Sequence, residues 1–482
     1  MVSAAFLEAA HALLGPRGLL TDPNDQAPHL TDWRGRFTGR ALAVAFPDTT
    51  EAVAALVKLA AHHRVHIVPQ GGNTGLSGGA TPDDSGQQLV LCLTRLNRIR
   101  SQDPANKTLI AEAGVSLQAI QEAAQAMGLM FPLDLTARGT ATIGGNLATN
   151  AGGTAVLRYG NARQLCLGLE VVTAQGEIWN GLRGLRKDNT GYDLRDLFIG
   201  SEGTLGIITA ASLALWPQPA HTQTALVSLE GAGAAVALLQ AAQASTQASL
   251  TAFEFMSPTA TAPVAQYFPE LAAPLRMGKS HMALVLLEAT EGLEDTLATA
   301  IDQGLLADAA LAQSLAQAQS FWALREHITL AAAEDGPQIK LDISLPISRI
   351  PDFCEDMSRA LEGALPGVRC SNFGHLGDGN LHFNLAAPLA WAEGLSRAER
   401  RQRFKDFVNE HEDRLRRIVH DAVMAREGSI SAEHGLGQLR RDEAAVYKSS
   451  TEQDLMRRIK QALDPEGLLN PGKVLSTRPA IH

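Results

Sequence analysis

The stretch Ser371 to Asn384, SNFGHLGDGNLHFN, sets His375 and His382 around a turn-forming core, Gly377-Asp378-Gly379-Asn380. Asp-Gly and Gly-Asn between short apolar runs predict a β-hairpin. With that core as the loop, Leu376 faces Leu381 and His375 faces His382, their Cβ atoms roughly 5 Å apart. Asn384 then shares a strand face with His382. Two imidazoles and an amide on one face suit a metal site better than a core. A third donor has to come from elsewhere, and Ser431-Ala432-Glu433-His434-Gly435 offers Glu433. Two histidines, a carboxylate and open positions suit Zn²⁺ with exchangeable ligands; Mn²⁺ or Fe²⁺ is chemically allowed.

Two glycine-rich stretches carry a different chemistry. PQGGNTGLSGGA (69–80) follows a strand-like run, and GTATIGGNLATNAGG (139–153) adds Thr140, Thr142, Asn146, Thr149 and Asn150 as side-chain donors. Glycines let successive backbone N–H groups converge on an anion without Cβ obstruction. Two such loops can hold an extended ligand with a diphosphate and a polar ring. Gly72, Gly75 and Gly78 are regularly spaced, as in a dinucleotide fingerprint. That fingerprint demands an acidic residue about 20 positions later for the ribose. The window Leu89 to Arg95 contains no Asp or Glu, so the Rossmann reading is rejected.

These segments need elements to position them. Residues 51–64 have helical periodicity, VHIVPQ, LVLCL (89–93) and TLIAEAGVS (108–116) read as strands, and 117–128 as a helix. LGLEVVTAQGEIWN reads as strand, turn and strand; LGIITAASLALWPQP (205–219) is a strand closed by two prolines. From 220 to 390, strand-like runs alternate with Ala-rich helices at 231–247, 293–305 and 351–363, the pattern of an antiparallel sheet covered by helices. Within it, Arg325 and Thr329 share a helix face. In IKLDISLP, Ile339, Leu341, Ile343 and Leu345 face one way, and Lys340, Asp342 and Ser344 the other. Residues 396–427 form a charged helix or helix pair ended by Gly428; helix then continues to Leu463, before a Pro/Gly tail. Three regions are expected: 1–219, 220–427 and 428–482.

Composition bounds the function. The chain has 482 residues, 45% hydrophobic and 19% charged, enough for two or three domains. A net charge of −10 and few aromatics argue against a nucleic-acid binder. Cys92, Cys166, Cys354 and Cys370 are far apart, as expected for reduced thiols. The opening MVSAAFLEAAHALLG lacks a basic region and carries Glu8, so it reads as a surface helix and not a signal peptide. No apolar run reaches the roughly 18 residues of a membrane span. A cytoplasmic protein is expected.

At P-x-G-G-N-T-G-L (69–76), IGGNLATNAGG (143–153) and RKDNTGYDLRDLFIGSEGTLGIIT (186–209), the chain resembles the FAD-linked 2-hydroxy-acid dehydrogenases with a vanillyl-alcohol-oxidase (PCMH) type flavin domain. The likeness continues through the hairpin, Glu433-His434 and LNPGK (469–473). It implies an α+β protein: a two-subdomain FAD-binding domain, an antiparallel-sheet substrate domain covered by helices, and a helical C-terminal segment that completes the active site and packs on the FAD domain. It implies FAD against Pro69, Gly71, Gly72, Asn73, Thr74, Gly75, Leu76 and Gly78 of the first loop. From the second come Gly139, Thr142, Gly144, Gly145, Asn146, Thr149, Asn150, Gly152 and Gly153. Glu202, Gly203, Gly206, Ile207, Ile208 and Asn470 complete the set. Neither glycine-rich loop contains the His or Cys that covalent attachment uses, so non-covalent FAD is expected.

The resemblance makes His375, His382 and Glu433 the metal ligands, and Arg325, Thr329, Lys340, Asn384 and His434 the substrate contacts. Two cations exceed what a monocarboxylate needs, whereas a dicarboxylate such as D-2-hydroxyglutarate uses both. In the implied mechanism the metal lowers the hydroxyl pKa, His434 takes the proton and hydride leaves C2 for the flavin. Electron-transfer flavoprotein or a quinone is the acceptor the resemblance suggests, with a homodimer as the assembly. The alternative within the class is a D-lactate or glycolate dehydrogenase. A zinc hydrolase leaves the glycine-rich loops unexplained, and a non-enzymatic flavin carrier leaves the histidines and cations unexplained. Arg138, just before the second loop, fits flavin, substrate or solvent equally.

Overall fold

The computed structural model describes residues 2–245, 249–271 and 282–476. Its contacts divide the chain into two units. One comprises Met1–Gly153, Tyr159–Gln218 and Glu433–His482; the other comprises Thr154–Arg158 and Pro219–Ala432.

The first unit is built on two main sheets. In the smaller, Leu89–Cys92 runs parallel to both Ala43–Ala45 and Ile67–Gln70. Helix Thr50–His63 covers it. Thr49 caps its start by accepting from the Ala52 N–H, and Arg64 ends it in a left-handed conformation. Val53, Leu56, Val57 and Ala60, at i, i+3, i+4 and i+7, form its buried stripe and share a cluster with Phe6, Ile67, Leu89 and Leu91. Each large side chain so buried contributes roughly 1.5–3 kcal/mol. The second sheet is antiparallel and five-stranded, with the fully buried strand Ile207–Ala214 between Thr108–Glu112 and Cys166–Val172. Late in the chain, Leu469 forms a parallel bridge with Ile67. The first glycine-rich loop leaves the end of Ile67–Gln70, and helix Ile143–Ala148 lies within the second.

The second unit carries a seven-stranded antiparallel sheet. In spatial order its strands are Asp308–Leu311, Gln223–Leu229, Ala283–Ala289, Leu250–Met256, Arg369–Gly374, Asn380–Ala386 and Asp342–Ser344. The middle strand, Leu250–Met256, is buried at every position because both faces are covered. Ala225, Val227 and Leu229 face a core with helices Gly231–Ser245, Leu293–Asp302, Ile350–Ala364 and Arg397–Met424. Leu226, Met256, Leu284, Leu286 and Phe373 face helices Pro258–Tyr267 and Leu315–Asp335. Thr246 and Gln247, at the expected end of the first Ala-rich helix, lie outside the described residues. The charged segment is one helix, Arg397–Met424, opened by a Ser396/Glu399 capping box. Together the two units give the α+β class.

The hairpin register differs from expectation. Phe373, not His375, pairs with His382, and Ser371 pairs with Asn384. The physical reason is the turn: Leu376–Asp378 forms a short 3₁₀ turn between Gly374 (φ 141°) and Gly379 (φ 89°), which uses more chain than a tight β-turn. His375 therefore stands beyond the strand end, where its C=O accepts from the Asn380 N–H. The two imidazoles remain neighbours, with ring centroids 5.9 Å apart.

Candidate active site

In the first unit the two glycine-rich loops and the 202–208 segment line a cleft with about 940 Å³ of atom-free space, open solvent at its mouth included. Its wall includes Pro69, Gly71, Gly72, Asn73, Thr74, Gly75 and Leu76 from the first loop, and Thr142, Gly144, Gly145, Asn146 and Thr149 from the second. Glu202, Gly203, Gly206, Ile207, Ile208 and His434 complete it. Gly78, Gly139, Asn150, Gly152, Gly153 and Asn470 are not on the wall; several of them build the loops behind it. A Cβ on Gly152 would meet Glu433 Oε1 at 2.6 Å, and one on Gly78 would meet the Phe37 ring at 2.6 Å. Asn470 donates from Nδ2 to the Gly79 and Glu202 carbonyls. Asn73, Asn150, Glu202 and Asn470 all have positive φ, a conformation that costs Glu202 most and that collects at functional loops.

The loop bearing His434 is clipped to this wall. Ser77 Oγ lies within hydrogen-bond distance of the His434 (3.0 Å) and Gly435 (3.2 Å) carbonyls and donates to them. The N–H groups of Leu436 and Gly437 donate to the two Glu202 oxygens at 2.7 and 2.9 Å. Burial pushes the Glu202 carboxyl up to about 7, against those N–H groups and the charge of Lys473. Burial likewise pulls Lys473 down to about 8.

In the second unit the second cluster of candidate residues lies on one sheet face. Asp342 pairs with His382, and Ile339 bridges Leu385, so the intervening register sets Lys340 across from Asn384. Alternation puts Lys340, Asp342, His382, Asn384 and Phe373 on the same side. Leu341, Ile343, Leu381 and Phe383 point into the opposite core. Arg325 reaches this side from helix Leu315–Asp335, its guanidinium 5.1 Å from the Phe373 ring centre. Thr329, one turn further along that helix, is exposed. Asp342 Oδ1 is 3.8 Å from His382 Nδ1 and accepts a hydrogen bond from Asn380 at 2.9 Å.

Glu254 organises this cluster. One oxygen is 2.5 Å from His375 Nδ1, and the other accepts from Arg325 Nε at 2.7 Å. Burial alone would raise its carboxyl; the charges of His375 and Arg325 overcome that and hold it at about 2. An ionised carboxylate only accepts, so His375 Nδ1 carries the hydrogen of this contact and donates it to Glu254.

The sequence matches the FAD binding domain family over residues 41–181 and the family "FAD linked oxidases, C-terminal domain" over residues 218–474. It is 39% identical to D-2-hydroxyglutarate dehydrogenase of Xanthomonas citri pv. viticola, covering 96% of this chain and 95% of that one. It is 37% identical to the mitochondrial D-2-hydroxyglutarate dehydrogenase of Bos taurus, covering 96% and 82%. The chain belongs to the FAD-linked D-2-hydroxy-acid dehydrogenases. The fold agrees: p-cresol methylhydroxylase superposes with a TM-score of 0.74 at 18% identity over 98% of this chain and 97% of that one. An alkyldihydroxyacetonephosphate synthase superposes with 0.71 at 17% identity over 97% and 84%.

For a dehydrogenase of this family the cleft fits FAD. Thr142 Oγ1 and Asn146 Nδ2 on its wall are buried with no hydrogen-bond partner in the protein, as groups reserved for a polar ligand would be. Sequence reasoning missed Gln70, Ser77, Gly79, Ala80, Leu93, Ala113 and Ala148 on the wall. Most are apolar or small and carry no chemical signal of their own. It also missed Glu254, for which one signal existed: a lone carboxylate within the apolar run LTAFEFM. All four cysteines are free thiols. Among the described residues, no helix is long and apolar enough to cross a membrane.

Proposed function

We propose that the enzyme oxidises D-2-hydroxyglutarate, or a closely related D-2-hydroxy dicarboxylate, to the 2-oxo acid. The observation that carries this reading is the pair of cations on the His382 side of the second unit. Arg325 spends its Nε on Glu254, which leaves its two Nη groups for an end-on carboxylate. Lys340, across from Asn384, supplies a second positive charge for the other carboxylate. The relatives' names point the same way.

The donor set fits a divalent ion. His375 and His382 offer imidazole nitrogens, and Glu433 is proposed as the third donor on ligand chemistry and family resemblance; Zn²⁺ suits the set, with Mn²⁺ or Fe²⁺ as substitutes. Bound non-covalently, FAD supplies a hydride acceptor, and the ion a Lewis acid that acidifies the C2 hydroxyl. His434 accepts that hydroxyl proton, while Asn384 and Thr329 add hydrogen bonds to the substrate. Glu202 and Ser77 hold the backbone around His434 so that the base needs no reorganisation. Electron-transfer flavoprotein or a quinone as acceptor, a homodimer and a cytoplasmic location belong to the same proposal.

The test is a visible spectrum of the purified protein under anaerobic titration with single 2-hydroxy acids. Flavin bands bleached by D-2-hydroxyglutarate at far lower concentration than by D-lactate or glycolate are expected. Equal bleaching by the monocarboxylates would refute the dicarboxylate assignment.

A further inference from the structure

Strand Leu250–Met256 runs through the middle of the seven-stranded sheet and is buried along its whole length. Its neighbours in sequence, Phe253 and Phe255, belong to the apolar core. Glu254, 1% exposed between them, is paired in register with Leu286. A carboxylate here is costly to desolvate, and an apolar residue of similar size would serve the sheet as well or better. Both its oxygens are committed outward from the strand, one to His375 and one to Arg325.

The contacts close into a ring. Glu254 holds Arg325; the Arg325 guanidinium lies over Phe373; Phe373 pairs with His382, their ring centres 5.0 Å apart; His382 neighbours His375; His375 returns to Glu254. The ring joins either histidine to the guanidinium by way of Glu254 on one side and Phe373 on the other.

We propose that Glu254 is a positioning residue that binds His375 and Arg325 into one unit, so that divalent-ion binding at the histidines and carboxylate binding at Arg325 are coupled. This rests on the function proposed above. Glu254 keeps the proton on His375 Nδ1 and aims Nε2, the usual part of a carboxylate behind a ligating imidazole. The same carboxylate fixes the roll of the guanidinium, so the Nη pair points in one direction. By linkage, the ion must strengthen carboxylate binding by the same factor as the carboxylate strengthens ion binding.

The test uses the flavin-loaded full chain, with Zn²⁺ affinity measured by competition with a chromophoric chelator and 2-oxoglutarate binding followed by flavin absorbance. In the natural protein, Zn²⁺ is expected to tighten 2-oxoglutarate binding at least five-fold. Glu254→Gln keeps an acceptor for His375 but turns an N–H toward Arg325. It is expected to weaken Zn²⁺ binding about 10- to 100-fold and to reduce the coupling at least three-fold, with flavin content unchanged. Zn²⁺ affinity within two-fold of natural, with coupling intact, overturns the proposal. Should that variant not fold, Arg325→Gln serves: it is expected to weaken Zn²⁺ binding at least three-fold although Arg325 donates nothing to the ion, and an unchanged affinity overturns the proposal. A natural protein that binds Zn²⁺ without coupling refutes this inference alone. One that binds no divalent ion refutes the metal part of the proposed function with it.

Discussion

Gly72 and Gly75 belong to one motif, yet replacing each by alanine should have opposite consequences. A Cβ on Gly72 would lie 2.0 Å from the Thr140 carbonyl oxygen, 2.8 Å from its carbon and 3.3 Å from Ala141 Cα. Ordinary contact begins near 3.4 Å, so the two glycine-rich loops would have to part by about 3.4 − 2.0 = 1.4 Å. All three obstacles are backbone and cannot rotate away. Overpacking of this kind costs about 1–3 kcal/mol. Since about 1.4 kcal/mol is a factor of ten in binding, closing the parted loops around FAD should weaken its affinity by at most roughly 150-fold. A Cβ on Gly75 meets nothing within 4 Å, so Gly75→Ala should leave the apoprotein's stability within about 0.5 kcal/mol. Thermal unfolding of the apoproteins separates the two before any cofactor is added: a fall of roughly 1–5 °C for Gly72→Ala and almost none for Gly75→Ala. FAD titration then reports whether the cofactor approaches Gly75 closely. An apoprotein Gly72→Ala as stable as the natural chain would refute the claim that the two loops are pressed together there.

Three further outcomes are expected. His434→Ala should lower kcat at least 10²-fold, the usual contribution of a proton-transfer group, and near-natural turnover would remove it as the base. Lys340→Ala should raise KM for D-2-hydroxyglutarate far more than for D-lactate; equal losses on both would count against a distal-carboxylate contact. Glu202 makes stability depend on pH: its carboxyl is raised from 4.5 to about 7, so the folded state holds the proton more tightly than the unfolded chain. Its contribution is therefore complete below about pH 4.5 and is lost as pH rises through about 7; a shift of 7 − 4.5 = 2.5 units corresponds to about 3 kcal/mol. Urea unfolding of Glu202→Gln should lack that decline, and parallel profiles for the two proteins would show that Glu202 is not its source.

The glycine-rich loops were legible in the sequence because their requirement is local: a missing side chain marks a close approach whatever lies opposite. The alternation in IKLDISLP was legible for the same reason, and the burial of Ile339, Leu341, Ile343 and Leu345 follows it. The hairpin register was not, because a 3₁₀ turn at Leu376–Asp378 and a tight turn at Gly377–Asn380 draw on the same residues. Glu254 was the hardest to see. Its partners lie 71 and 121 residues away, and only the sheet order and the helix crossing it bring them to one carboxylate.

The bridge from Ile67 to Leu469 and the bonds of Asn470 to Gly79 and Glu202 set a clock on the cofactor's arrival. Gly79 leaves the ribosome 391 residues before Asn470 does. At about 5–20 residues per second that interval is roughly 20–80 s. Throughout it the first glycine-rich loop exists without the Leu469–Asn470 segment that steadies it. FAD capture in its final geometry is therefore an event of the finished chain. A nascent chain that has only the matched FAD binding domain, residues 41–181, still lacks part of the cleft. Truncation between Glu433 and Asn470 should then yield a chain that is made normally yet emerges colourless.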